Sequence, residues 1–214
     1  KFTNFFSFWR VLFLYPLRSS NNTQAMPDEL RTPLNGTWCL LADDGKCGQN
    51  QEWLDIVKPC SLLNDIENFW ATLNNVVPPS QLTVNSNYHF FRKGIKPMWE
   101  DEKNKKGGKW VMTIPRQDRT KGKCDEWWLY TLLAIIGETL DESGRAVCGA
   151  VVSIRKNQDK IALWINTTEK EEAIKIGQRW KSALQINKTS IKFQSHTDAI
   201  KSDSSFNNKV FYEV

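Results

Sequence analysis

The 214-residue chain is predicted to form an α+β domain built on an antiparallel sheet. Short runs rich in β-branched and aromatic residues mix irregularly with amphipathic helical runs, without the βαβ rhythm of a parallel sheet. Two of the strand-like runs, 149–155 and 160–166, are joined by the polar residues KNQD, a length typical of a hairpin. The composition fits a folded domain, because 40% of the residues are hydrophobic and 25% are charged.

Three segments have the apolar spacing of an α-helix. Two side chains are candidates for capping the first helix: Asn64, which is followed by Glu67 as in a capping box, and Asp65. The second helix opens with an acidic turn, which stabilises the helix dipole, and is apolar on more than one face. The predicted helices span 62–76, 125–140 and 169–184.

Four short runs have the composition of strands, and two polar stretches are predicted to be mobile loops. No internal repeat interrupts this order of helices and strands. The strand-like runs are 88–94, 109–114, 149–155 and 160–166, and the loops are 43–51 and 196–208.

The first thirty residues are predicted to lie outside the folded domain. Residues 1–20 are aromatic and apolar and are followed by polar residues, but Arg10 interrupts the apolar run, and no small-residue cleavage site of a secretory signal follows it. We expect residues 1–30 to be disordered or an extraneous extension, and residues 31–214 to form the domain. No run of about 18 apolar residues occurs, so no membrane span is predicted.

The cysteine and histidine content predicts neither a metal site nor a cofactor. The chain has five cysteines, none at C-x-x-C spacing, and only two histidines, His89 and His196. We therefore expect reduced thiols and a cytoplasmic protein, with the nucleus as a second compartment.

Two of the ten tryptophans lie in polar, loop-like surroundings, where an indole face is available for stacking. They are Trp53 in NQEWLD and Trp99 in KPMWEDEKNKKGGKW. Glu100 follows Trp99, and a carboxylate beside a stacking ring can accept both hydrogen bonds of the guanine N1–H and N2 edge. A solvated acidic loop with no ligand is the alternative interpretation.

The predicted hairpin carries cations next to an indole. Arg155 ends the first strand, and Lys160, Ala162 and Trp164 share one face of the second by its two-residue period. A planar guanidinium and a point-like ammonium at one hairpin suit a phosphate chain. An ordinary hairpin with exposed basic residues is the alternative.

Taken together, these segments resemble the messenger RNA cap-binding family of eukaryotic initiation factor 4E. The resemblance covers about residues 32–214, with the landmarks in the family's order. It is carried by TPLNGTW, IENFWATLNN, GIKPMWEDEKNKKGGKW, WLYTLLAIIGE, CGAVVSIRKNQDKIALW and IGQRWKSAL.

The resemblance implies a curved sheet of eight strands with three helices on its convex face and a cap-binding slot on its concave face. Two tryptophans would stack on the 7-methylguanine base, a carboxylate would bind the guanine edge, and a third indole would contact the methyl group. Four cations would bind the phosphates, one of them a lysine where many members carry arginine. The stacking tryptophans would be Trp53 and Trp99, the carboxylate would be Glu100, and the third indole would be Trp164. The phosphate-binding cations would be Arg155, Lys160, Lys109 and Lys201, of which Lys109 is the lysine in place of arginine.

The resemblance also implies a second, convex surface for a short partner helix, from an initiation factor 4G-like scaffold or a 4E-binding repressor. Tyr130 stands there in place of the glutamate of animal members, which indicates a different partner preference. The alternative is that these apolar residues are core. They are Pro33, Leu34, Ile66, Trp70, Leu129, Tyr130 and Leu133.

The predicted function is therefore non-enzymatic binding of capped messenger RNA, by a protein that is a monomer outside its complex, to start translation. A cap-binding repressor or a specialised paralogue would share the slot. A metal-dependent nucleotide hydrolase is the alternative from another class, and would need a carboxylate cluster. The acidic run at 100–102 is followed at once by lysines, which disfavours such a cluster.

Overall fold

The computed structural model describes residues 30–45, 56–187, 189–202 and 209–214, and contains eight strands in one curved, unclosed antiparallel sheet. The strands are β1 (Pro33–Asp43), β2 (Lys58–Asp65), β3 (Asn87–Arg92), β4 (Gly108–Pro115), β5 (Val147–Ser153), β6 (Gln158–Ile165), β7 (Lys192–Ser195) and β8 (Val210–Glu213). Their order across the sheet is β2-β1-β3-β5-β6-β4-β7-β8. The antiparallel fold class is thus confirmed, including the β5–β6 hairpin.

Three long helices and two short ones complete the described part of the chain. They are α1 (Ile66–Asn75), α2 (Arg116–Arg119), α3 (Lys123–Ile136), α4 (Lys170–Ala183) and α5 (His196–Ser202). The three long helices correspond to the three predicted ones. None of the helices described is long and apolar enough to cross a membrane.

The predicted start of the first helix was wrong. Residues 62–65 belong to β2, and Asp65 caps α1, because its Oδ1 accepts a hydrogen bond of 2.6 Å from the backbone N–H of Asn68. The predicted loop at 196–208 was wrong for residues 196–202, which form α5. This short helix lacks an apolar stripe and begins where the Ser195 hydroxyl accepts the Thr197 N–H.

The convex face of the sheet carries the main hydrophobic core. Successive side chains of a strand point to opposite faces, so one cross-strand row lies entirely on the helix side. Every member of this row is at most 1% exposed. The row runs through Leu40, Phe90, Ala150, Leu163, Trp110 and Phe193.

Two tryptophans hydrogen-bond to the helices that cover this face. The Trp110 Nε1 donates a 3.0 Å hydrogen bond to the backbone carbonyl of Ala173 in α4, and Gly177 lets the helix approach the same ring. The Trp180 Nε1 donates to the Thr131 hydroxyl at 3.0 Å, which links α4 to α3. Trp110 and Trp180 are therefore core residues whose indole N–H groups are satisfied.

Candidate functional site

The opposite, concave face carries a smaller apolar cluster centred on an indole. Phe91 and Trp164 lie in one cross-strand row of this face, with ring centroids 5.4 Å apart at 76°. Cys148 and Val151 complete the buried cluster, and the half-buried Trp99 packs against it. Two of the predicted site residues, Trp99 and Trp164, are thus brought to one place by different segments of the chain.

The loop that carries Trp99 is held by two polar side chains. Asn104 is fully buried, and its Nδ2 donates 2.8 Å hydrogen bonds to the carbonyls of Lys96 and Met98. The Asp101 carboxylate accepts the backbone N–H groups of Lys96 and Lys103, at 3.0 and 2.9 Å. These bonds fix the loop backbone on both sides of Trp99 and leave the neighbouring Glu100 exposed.

Trp164 is bordered by a lysine and a histidine. The Lys109 Nζ lies 5.9 Å from the centre of the Trp164 ring, and the His196 ring packs on it at 4.2 Å. Burial, with Lys160 as a second cause, lowers the pKa of Lys109 to about 8. Burial and the nearby Lys109 lower the pKa of His196 to about 3, so this ring is neutral at physiological pH.

The β5–β6 hairpin brings further cations to the same face. Lys160 pairs with Ser153 in the cross-strand register and lies four positions before Trp164 on the same strand. This confirms the prediction that Lys160, Ala162 and Trp164 share a face. Burial is the larger cause, and Arg155 the smaller, of a lowered Lys160 pKa.

Arg155 is held at its backbone by a buried carboxylate. Asp159 is fully buried, accepts the Arg155 backbone N–H at 3.0 Å, and binds the Arg119 guanidinium through both of its oxygens. Arg119 also donates to the Arg155 carbonyl at 2.6 Å. Arg119, the last residue of α2, therefore holds the turn between β5 and β6 in place.

Five predicted ligand-binding residues have described positions on or beside this face, and a sixth, Glu100, lies in the adjoining loop. Trp53 lies outside the described residues, and so does the side chain of Lys201 in α5, so both remain predictions. Sequence reasoning missed Arg119, Asp159 and His196. Arg119 binds Arg155 and Asp159, which lie 36 and 40 positions away along the chain, and His196 matters because it is buried. Strand periodicity reveals neither feature.

The second predicted surface lies on α1 and α3. Trp70 is half-buried and packs edge-on against Phe69, with ring centroids 5.3 Å apart at 77°. Leu129 and Tyr130 are half-buried on α3, whereas Leu133 is only 6% exposed and belongs mostly to the core. The remaining members are Pro33, which is exposed, and Leu34 and Ile66, which are half-buried.

A carboxylate at the start of α3 binds the segment that follows α1. Asp125, in the first turn of α3, accepts hydrogen bonds from the backbone N–H and hydroxyl of Ser80, at 2.8 and 2.6 Å. Ser80 lies in the segment that follows α1.

Within the described ranges, no three His, Cys, Asp or Glu side chains come together as a metal site.

Residues 33–211 match the family model described as Eukaryotic initiation factor 4E. The chain belongs to this family. It is 40% identical over 194 residues to the human eukaryotic translation initiation factor 4E, covering 89% of this chain and 88% of the human protein. It is 39% identical over 173 residues to the Saccharomyces cerevisiae factor 4E, covering 80% of this chain and 79% of the yeast protein.

Solved structures of the 4E family have the same fold. Ascaris suum eIF4E-3, in complex with an m2,2,7G cap, is similar with a TM-score of 0.77 and 35% identity. Caenorhabditis elegans eIF4E-3, in complex with the 4E-binding protein Mextli and a cap analogue, is similar with a TM-score of 0.75 and 34% identity. Each comparison covers 86% of this chain and 99% of the other chain.

Proposed function

We propose that this chain binds the 7-methylguanosine cap of messenger RNA on its concave face and recruits a scaffold initiation factor through its convex face. The observation that carries the proposal is the meeting of the Trp99 loop, the Trp164 indole and the cations of the hairpin at one face of the sheet. Family membership supports the same function.

The base would be recognised by stacking and by its charge. Methylation at N7 makes guanine cationic, and an indole face attracts a cation by about 0.5–2 kcal/mol. Stacking of a base on an aromatic ring contributes about 1–3 kcal/mol. Trp99 and Trp53 would supply the two indole faces, the exposed Glu100 would accept the guanine N–H groups, and Trp164 would contact the methyl group.

The phosphates would bind to Arg155, Lys160, Lys109 and Lys201. Lys109 supports this strongly, because its buried ammonium has no carboxylate partner among the residues that the structure describes. A buried charge without a counter-ion is costly, and an anionic ligand would remove that cost.

The partner helix would bind across α1 and α3. Trp70 presents part of its ring there, and its indole N–H has no acceptor among the described residues. A carbonyl of the partner backbone would satisfy this donor. A scaffold partner makes the chain an initiation factor, whereas a repressor as sole partner would make it an inhibitor of translation.

We expect no catalysis and a mainly cytoplasmic protein. The acidic run 100–102 is a poor metal site, because Asp101 is used by the loop backbone and the Glu102 carboxylate pairs with Lys105 at 2.6 Å. Incubating the protein with a cap analogue and Mg²⁺ should return the ligand intact, and release of a nucleoside phosphate would establish the hydrolase instead.

Retention on immobilised 7-methylguanosine triphosphate tests the proposed binding. The protein should be retained, eluted by the free methylated nucleotide, and not eluted by the same concentration of guanosine triphosphate. Native partners retained with it identify a scaffold or a repressor. Failure to bind the resin, with a folded protein by circular dichroism, would refute the proposal.

Lys109 should make triphosphate binding dependent on pH. The pKa of Lys109 is about 8 in the free protein, and the bound phosphates would raise it. At pH values near and above 8, Lys109 would therefore take up a proton when the ligand binds. We expect the affinity to fall by at most about tenfold between pH 7 and 9 from this lysine.

Lys109→Arg is the matched variant, because arginine stays protonated over this range. The ligand's own ionisations affect both proteins equally and cancel in the comparison. Calorimetry in two buffers of different ionisation enthalpy should find proton uptake in the wild type that the variant lacks. Identical pH profiles would exclude Lys109 as the source.

A further inference from the structure

We propose that Asp43 and Asn87 form a buried bridge that positions the Arg155 guanidinium for the phosphates of the ligand. This inference rests on the proposed function, and it concerns residues that do not themselves need to contact the ligand. The Asp43–Asn87 bridge lies on the concave face, where Asp43, Asn87, Ser153 and Lys160 follow one another in a single cross-strand row.

The bridge is a continuous chain of hydrogen bonds. The Asn87 Nδ2 donates to both oxygens of Asp43, at 2.8 and 3.1 Å, and the Asn87 Oδ1 accepts from the Arg155 Nη2 at 2.9 Å. Asp43 is 6% exposed and Asn87 is 8% exposed, so little water competes for these bonds.

The group between these two must be neutral and must both donate and accept hydrogen bonds, and the Asn87 amide does so with two separate atoms. A carboxylate can only accept hydrogen bonds and a guanidinium can only donate them, whereas the amide of Asn87 does both. The neighbours therefore dictate the orientation of the amide, with nitrogen toward Asp43 and oxygen toward Arg155. The negative charge of Asp43 polarises the amide and strengthens its oxygen as an acceptor.

Asp43 is itself held by further donors. The His89 Nε2 lies 2.6 Å from its Oδ2, and the Gly45 backbone N–H donates to its Oδ1 at 2.8 Å. Burial would raise the pKa of the Asp43 carboxyl, but the hydrogen bonds from His89, Asn87 and Gly45 together lower it. The carboxylate that anchors the bridge thus stays ionised at neutral pH.

The bridge orients the guanidinium for an outside ligand. The Arg155 Nη1 donates to the carbonyls of Ile154 and Ser86, at 2.9 and 3.4 Å, and Asn87 takes one hydrogen of Nη2. In the described part of the chain, the Nε–H and the second Nη2 hydrogen have no acceptor, and a phosphate would supply one. Because the side chain is already ordered, binding loses less rotamer entropy than with a freely rotating arginine.

The test compares Asn87→Leu with the wild type, using 7-methylguanosine triphosphate and 7-methylguanosine without phosphates. Leucine has a similar size but neither donates nor accepts. We expect the triphosphate affinity to fall about 10- to 100-fold, as expected for a lost charge-assisted hydrogen bond, and the nucleoside affinity to change less than twofold. An equal loss for both ligands would overturn the bridge.

A double-mutant cycle with Arg155→Ala separates positioning from direct contact or general destabilisation. If Asn87 acts through Arg155, Asn87→Leu should change triphosphate affinity less than twofold once Arg155 is absent. The same loss in both backgrounds would contradict the inference. Asn87→Ala, which also removes the donor and the acceptor, provides the same cycle if the leucine variant does not fold by circular dichroism.

Ser153→Ala is the matched control. Ser153 is the cross-strand neighbour of Asn87 on the same face and has no hydrogen bond to the Arg155 guanidinium in the described structure. It should change neither affinity by more than twofold. Wild-type binding tests the proposed function separately: if the wild type binds the triphosphate and the Asn87 variants bind it equally well, only the bridge is refuted.

Discussion

Replacing Trp99 with alanine is expected to lower the affinity for 7-methylguanosine triphosphate by about 10- to 4000-fold. The estimate combines about 1–3 kcal/mol of base stacking with about 0.5–2 kcal/mol of cation–π attraction, at 1.4 kcal/mol for each factor of ten. Because the loop backbone is fixed by Asp101 and Asn104 rather than by the indole, the variant should stay folded. Isothermal titration calorimetry measures the loss.

Two controls accompany this variant. Trp99→Phe keeps an aromatic face and should recover part of the affinity. Glu102→Ala removes an exposed carboxylate of the same loop, which pairs only with Lys105 among the described residues, and should leave the affinity within twofold. A folded Trp99→Ala protein that binds as tightly as the wild type would show that Trp99 does not stack on the base.

Replacing Trp70 with alanine should weaken binding of the partner peptide and leave cap binding nearly unchanged, the reverse of Trp99→Ala. The binding free energy of a scaffold-derived helical peptide should weaken by about 2 kcal/mol or more, which is at least about 30-fold in affinity. The reason is that a central aromatic residue often dominates such an interface. The triphosphate affinity should change less than twofold, since α1 packs behind the sheet and the Trp99 loop lies in front of it. Calorimetry with each ligand measures both.

The exposed Asn74 of the same helix supplies the control, since Asn74→Ala should affect neither ligand. Tyr130→Glu adds a carboxylate to the surface and should favour peptides with a basic residue at that point. If Trp70→Ala loses both its circular dichroism signal and cap binding, Trp70 is a core residue and the partner surface lies elsewhere.

Residue patterns predicted the hairpin and the long helices well. In β6 the two-residue period correctly placed Lys160, Ala162 and Trp164 on one face, because an antiparallel strand with one buried face has a strongly specified register. The same reasoning failed at residues 62–65, where the apolar residues Leu62 and Leu63 suit a strand and a helix equally. Only the cap at Asp65 separates the two elements.

The polar support of the site could not be predicted from periodicity. Asp43 and Asn87 are 44 positions apart, and Arg119 and Asp159 are 40 apart. Each residue alone fits an exposed loop or a strand end, and only the folded sheet reveals that they are buried and paired. The chemistry of the site was readable in Trp99, Glu100 and the hairpin cations because these residues are adjacent or follow strand spacing.

Titration of intrinsic tryptophan fluorescence with methylated and unmethylated guanosine triphosphate measures whether this chain recognises the methylated cap. We expect strong quenching by the methylated nucleotide and an affinity at least about tenfold higher than for the unmethylated form, since only the methylated base is cationic when it contacts an indole. Equal affinities for the two nucleotides would contradict cap recognition by this chain.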